Sequence, residues 1–180
     1  IKAIDRLRKK KYLVTLTLIG KVIFNNAGNK MNKLIQKLDP EGNFIQHIES
    51  VSYEEMPKKY SNHNGIIFAS TCENMPNILI ESMASTKPIA CSDKSPMPEF
   101  LRDGGYYFDA KSVNSITTCL ETMLNSSSDY GILANKNLEM KRVEYGLVAA
   151  DIQVITAGFK NNILNPTTAY LSLIHISEPT

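Results

Sequence analysis

The chain has 180 residues, 43% hydrophobic and 21% charged, with a formal net charge of +2, which describes one globular domain with a real core and excludes a disordered polyelectrolyte. So small a basic excess makes no nucleic-acid-binding surface, and its densest cluster, Arg6, Arg8, Lys9, Lys10 and Lys11, reads as the solvated end of a helix. No stretch reaches the ~18 apolar residues of a membrane span, and Cys72, Cys91 and Cys119, an odd number without metal-type spacing, point to the reducing cytoplasm and no disulfide framework.

In chain order, residues 1–11 read as part of an amphipathic helix with no initiator Met or targeting signal ahead of it, as expected of a fragment. A strand is predicted over 12–19. Met31, Leu34, Ile35 and Leu38 then recur at helical offsets and stop at the turn signal Asp39-Pro40-Glu41-Gly42. A second strand follows over 43–48. Ser52 with Glu55 three residues on has the spacing of a capping box, which predicts a short helix over 53–59. Further strands are predicted over 65–69, 88–91 and 106–108, the last preceded by a Gly104-Gly105 turn. Val113, Ile116, Leu120 and Met123 mark another helix, a polar break spans 125–129, and helical stretches near 132–145 and 149–163 complete the pattern. The final ten residues, 171–180, resemble translated sequencing-adapter read-through. Residues 1–165 are therefore taken as the domain, and 166–180 as a non-native or disordered tail outside it. Short apolar strands alternating with helices imply an α/β domain with a doubly wound parallel sheet, covered on both faces.

The segment Ser70-Thr71-Cys72-Glu73-Asn74-Met75-Pro76-Asn77-Ile78-Leu79-Ile80-Glu81 concentrates the functional signal. It runs from the end of a predicted strand, through a loop, into a helix that Pro76 is suited to open because its φ is already helical. In a doubly wound sheet, ligands sit outside the carboxyl ends of the strands, where helices begin. Unpaired amides at a helix start favour an anion such as a diphosphate, and carboxylates on either side accept hydrogen bonds from hydroxyls. A diphosphate flanked by hydroxyl-rich groups describes a nucleotide sugar.

Residues 70–109, reading STCENMPNILIESMASTKPIACSDKSPMPEFLRDGGYYFD, resemble the core of the retaining GT-B glycosyltransferases of group 1, also called family four. Shared features are two glutamates separated by seven residues, a small-residue helix, an x-x-Pro entry into a strand ending in Ser-Asp, a Pro-Glu loop and Gly-x-Tyr-Phe. The resemblance implies a Rossmann-like fold, the C-terminal, donor-binding half of a two-domain enzyme whose N-terminal acceptor domain is absent. It implies that Glu73 contacts the donor sugar near the reacting carbon and is the catalytic candidate. Glu81 would hold the ribose, the backbone amides around Met75 to Ile78 would receive the diphosphate with the Asn77 side chain nearby, and Asn74 and Pro76 would belong to the same substrate-binding segment. Ser50 and Val51 would border the base. It further implies front-face displacement without a protein nucleophile, no metal and no cofactor beyond the donor, with any attachment to the inner membrane surface left to the absent domain. The Arg and Lys that grip the phosphates in the family precede this chain; Lys2 lies nearest, and neither role is assigned. Three positions depart from the pattern: Asn74, Thr86 and Ser95 stand where glycine is frequent.

Other readings compete at each position. Two glutamates at this spacing are by themselves commonplace on a solvated helix, and only the preceding apolar strand, Pro76 and the downstream run Pro88-Ile89-Ala90-Cys91-Ser92-Asp93 together turn them into a site. Glu99, at the start of a short helix, is read as capping its amides, with contact to a ligand as the alternative. His47 and His63 are read as structural, Cys72 as a small packed side chain, since no histidine is spaced to activate it. Two other functions fit the same architecture: a sugar-nucleotide epimerase, and a non-catalytic nucleotide-sugar-binding module.

Overall fold

The computed structural model describes residues 1–22, 25–127, 129–145 and 169–174. Seven α-helices and six strands are seen among them: α1 (Lys2–Lys9), β1 (Val14–Ile19), α2 (Asn25–Leu38), β2 (Ile45–Ile48), α3 (Met56–Ser61), β3 (Gly65–Phe68), α4 (Asn77–Ala84), β4 (Ile89–Ser92), α5 (Met97–Leu101), β5 (Tyr106–Phe108), α6 (Val113–Asn125), α7 (Tyr130–Tyr145) and β6 (Ala169–Ile174). A single 3-10 turn, Tyr53–Glu55, leads into α3. All five strands expected from the apolar runs are present, with ends shifted by at most two residues. The helical stretch expected near 149–163 lies outside the described residues.

The strands form one sheet of order β2-β1-β6-β3-β4-β5, and every pairing is parallel. Their side chains alternate between two cores, as the period of two requires. Ile66 and Phe68 of β3, with Ile89 and Cys91 of β4, join Tyr60, Leu79, Met83, Leu101 and Leu138 on one face. Ile67 and Ala90 point the other way, to Ile4, Leu7, Leu16, Phe108 and Leu120. Helices α3, α4, α5 and α7 thus cover one face, and α1, α2 and α6 the other. Burial on both sides explains why the strands read as continuous apolar runs.

Strand β6 departs from the expectation that 166–180 stands apart from the fold. Its six residues pair in parallel with β1, from Val14↔Ala169 to Ile19↔Ile174, and with β3, from Gly65↔Leu171 to Ile67↔Leu173. The physical reason is the sheet itself. Among the described residues no pairing joins β1 directly to β3, and a strand between them satisfies two rows of backbone donors and acceptors that would otherwise be unmatched in the middle of a sheet.

Two local devices hold the first half. Helix α1 buries Ala3, Ile4 and Leu7 and closes with Lys11 at φ +72°, its amide and that of Tyr12 returning to the carbonyls of Arg8 and Leu7, a Schellman ending. Between α2 and β2, the buried carboxylate of Asp39 accepts from the amides of Asn43 at 2.7 Å, Phe44 at 2.8 Å and Ile45 at 2.7 Å. The sequence marks these residues only as a turn; the structure makes Asp39 its anchor. Ser52 and Glu55 differ from the capping box that their spacing suggests. Ser52 Oγ donates to Glu55 Oε2 at 3.2 Å, no side chain caps the turn, and the amides of Glu55 and Met56 bond to the Ser52 carbonyl.

Desolvation raises the pKa of Asp39, but the three amide donors and the nearby Arg8 outweigh it and leave the net value lowered. A depressed carboxyl contributes stability above its unfolded value, near 4, and loses it as pH falls through the lower folded one. Asp39→Asn is expected to cost about 1–3 kcal/mol at pH 7 and to flatten the fall in stability between about pH 4 and 2, measured by urea unfolding across pH. Removing residues 166–180 is expected to lower the melting temperature and promote aggregation, because β6 is withdrawn from between β1 and β3; an unchanged melting curve would show that the sheet does not need it.

Candidate functional site

With all pairings parallel, the chain leaves every strand at the same edge of the sheet, and the loops after β1 to β5 gather there. The loop from β3 to α4, residues 69–76, contains Glu73, Asn74, Met75 and Pro76. Its start is fixed by Ser70, 4% exposed, whose Oγ donates to the Cys72 carbonyl at 3.1 Å. Cys72 itself is exposed, which corrects its reading as a packed side chain. The other two cysteines are buried, and burial pushes the thiol of Cys119 up to about 12, so neither suits nucleophilic work.

Pro76 is the N-cap of α4, one position before the expected first turn, with φ −82°. No side chain caps the helix. The Asn77 amide folds back to the Met75 carbonyl at 2.9 Å and that of Ile80 reaches the Pro76 carbonyl at 3.0 Å, which leaves the amides of Ile78 and Leu79 without an acceptor among the described residues. Open amides at the helix tip, with the partial positive charge of the helix dipole behind them, make a receptor for an anion.

The two glutamates differ in environment. Glu73, before the helix, is half-buried, and its Oε1 is shut off from solvent with no hydrogen-bond partner among the described residues. Glu81 is the fifth residue of α4, about 6 Å along the axis from Asn77 at 1.5 Å per residue. It is partly buried, and its Oε2 accepts from the phenol of Tyr60 on α3 at 3.1 Å. Desolvation raises the Glu81 pKa, and the phenol's hydrogen bond opposes that rise. Tyr60 is pushed up by its own burial and by the Glu81 carboxylate, so it stays a neutral donor.

Ser50 and Val51 follow β2 at the same edge, but β2 lies three strands from β3, about 14 Å away at the usual spacing. They therefore stand apart from the glutamates at a distance only an extended ligand would span. Between them lies the exit of β1, where His47 Nε2 meets the Gly20 carbonyl at 2.9 Å. Beyond β4, Lys94 pairs with Asp93 at 3.0 Å. Glu99 accepts from Ser95 Oγ at 2.5 Å, a side-chain contact across its turn where amide capping was expected. His63 bridges the Lys59 carbonyl and Thr17 Oγ1, at 2.6 and 2.9 Å. Both histidines are thus engaged structurally. Among the described residues, no three His, Cys, Asp or Glu side chains converge where a metal ion could sit, and no helix is long and apolar enough to cross a membrane.

Tyr60 is the residue near this site that the sequence pattern does not single out. The predicted helix ends at 59, whereas α3 runs to Ser61, and nothing in the local pattern pairs position 60 with 81.

The family described as "Glycosyl transferases group 1" matches residues 1–141, and the chain belongs to it. Solved structures share the Rossmann-like fold of GT-B glycosyltransferases. TarM superposes with a TM-score of 0.66 at 18% identity, over 86% of this chain and 31% of its own. A sucrose-phosphate synthase from Thermosynechococcus elongatus gives 0.65 at 15%, over 83% and 42%, and HepE of Anabaena, solved with UDP and glucose, gives 0.62 at 13%, over 86% and 50%. The chain thus spans between about a third and a half of these structures. No curated protein matches it significantly by sequence.

Thr86, just past α4, has φ +57°, so the left-handed conformation that favours glycine is kept by a β-branched residue. The backbone is further confined because a Cβ on Gly131 would meet the Thr86 carbonyl oxygen at 2.0 Å. Thr86→Gly is expected to stabilise the fold by about 1 kcal/mol, read from the urea midpoint at constant m-value. A loss of stability would show that the Thr86 side chain contributes more than its backbone costs.

Proposed function

We propose that the chain is the donor-binding part of a cytoplasmic, retaining glycosyltransferase that moves a hexose from a nucleotide sugar to a sugar or lipid-linked acceptor. The observation that carries this reading is the junction of β3 and α4, where a buried, unpartnered carboxylate oxygen of Glu73 stands beside an uncapped helix start. An unsatisfied buried acceptor costs about 1–3 kcal/mol, and a sugar hydroxyl is the donor that would relieve it. The open amides of Ile78 and Leu79 suit a diphosphate, with Asn74, Met75, Pro76 and Asn77 around it. Glu81, about one turn further in, suits the ribose hydroxyls, while Ser50 and Val51 lie where the base of a ligand stretched along the sheet edge would end.

In the proposed reaction, the bond between the anomeric carbon and the leaving diphosphate oxygen breaks as the acceptor oxygen bonds to the same face of that carbon. The acceptor's proton passes to the departing phosphate, so no protein nucleophile and no metal are required. Negative charge grows on the diphosphate, and preorganised amides at the helix tip stabilise it where it develops. The acceptor would be supplied by a separate N-terminal domain, and any contact with the inner membrane surface by that domain.

Because HepE was solved with UDP and glucose, UDP is the first probe. This chain is expected to bind UDP weakly and to transfer no sugar alone. Glu81→Ala is expected to weaken UDP binding in calorimetry, while Glu73→Ala mainly lowers turnover in the complete enzyme, each lost charged hydrogen bond being worth about 1.5–3 kcal/mol. Equal UDP affinity of wild type and Glu81→Ala would remove the ribose role.

A further inference from the structure

The phenol of Tyr60 and the carboxylate of Glu81 are 21 residues apart in sequence and 3.1 Å apart in space. Tyr60 is 1% exposed and shares a core cluster with Leu79, Ile80 and Met83 of α4, so its ring cannot swing away without opening that core. Ser82, the residue after Glu81, is 0% exposed and its Oγ donates to the Ile78 carbonyl at 2.7 Å, so this turn of α4 is packed and its polar groups are met. A rigid donor is thereby built into the face of α4 that carries Glu81.

Glutamate has three side-chain torsions, and fixing them when a ligand arrives opposes binding. A carboxylate already held by one oxygen has lost much of that freedom before the ligand comes, and its other oxygen remains available. We propose that Tyr60 is a positioning residue for nucleotide binding, holding Glu81 in the orientation that receives the ribose hydroxyls. The inference rests on the ribose role given to Glu81 above. It adds that the affinity of the site is set in part by α3, an element that contributes no group to the ligand. Burial raises the Glu81 carboxyl and the phenol opposes that rise, so the same contact favours the charged form.

The test is a double-mutant cycle on UDP binding, with wild type, Tyr60→Phe, Glu81→Ala and the pair. Tyr60→Phe keeps the ring and removes only the donor, and is expected to weaken UDP binding about fivefold to tenfold. In the Glu81→Ala background the same change is expected to do nothing further, because its effect passes through the carboxylate. Loss of affinity in Glu81→Ala with none in Tyr60→Phe overturns the positioning role alone, as does an equal Tyr60→Phe loss in both backgrounds. Equal affinity of Glu81→Ala and wild type overturns the ribose reading and this inference with it. A measurement without ligand is carbon-detected titration of the Glu81 carboxyl, whose midpoint is expected to rise in Tyr60→Phe because a bond to the charged form has gone. A midpoint that does not move overturns the proposal whatever the binding data show.

Discussion

Every strand pairing in this sheet is parallel, and the rest of the molecule follows from that constraint. Parallel neighbours cannot be joined by a tight turn, so the chain must cross a face of the sheet between strands and lay down a helix as it goes. Helices on both faces bury both sets of side chains, which is why two cores exist. The same constraint sends every strand exit to one edge, so that loops from distant parts of the chain meet without any of them carrying the fold. A site built there can be altered in its loops while the cores remain intact.

The edge nevertheless contains polar groups that the core would not tolerate. Among the described residues, buried side-chain donors and acceptors are largely matched, the hydroxyl of Thr15 on β1 being an exception: Asp39 takes three amides, and His63 spans α3 and β1. At the β3 to α4 junction the matching stops, with one oxygen of Glu73 buried and unpartnered and a helix start that no side chain caps. Native interiors rarely leave such groups unsatisfied, and a site that exchanges hydrogen bonds with a ligand is one place where they do. Glu81 shows the complementary arrangement, with one oxygen held by a buried phenol and the carboxylate only partly desolvated. Two glutamates eight positions apart thus differ in environment, the first with an unpartnered oxygen and the second with an oxygen bonded to Tyr60.

Membership of the group 1 glycosyl transferases and the fold shared with TarM and HepE agree with this account at the level of architecture. Identities of 13–18% leave the chemistry of the donor to the residues of this chain. The departures from the family pattern illustrate why. Thr86 adopts a backbone conformation suited to glycine, so the turn after α4 has the left-handed geometry without the residue that makes it easy.

The amino-acid sequence by itself determined where the strands lie, that they are covered on both faces, and which strand-loop-helix junction carries the two glutamates, because apolar period, turn residues and a proline at a helix start act over a few neighbouring positions. It did not determine that Ala169–Ile174 lies between β1 and β3, that Asp39 gathers three amides, that Ser50 and Val51 sit three strands from the glutamates, or that Tyr60 holds Glu81. Those are relations between segments far apart in the chain, decided when backbone edges and buried polar groups must each find a partner. Local pattern cannot specify them, because the energy that selects them exists only once the layers have packed.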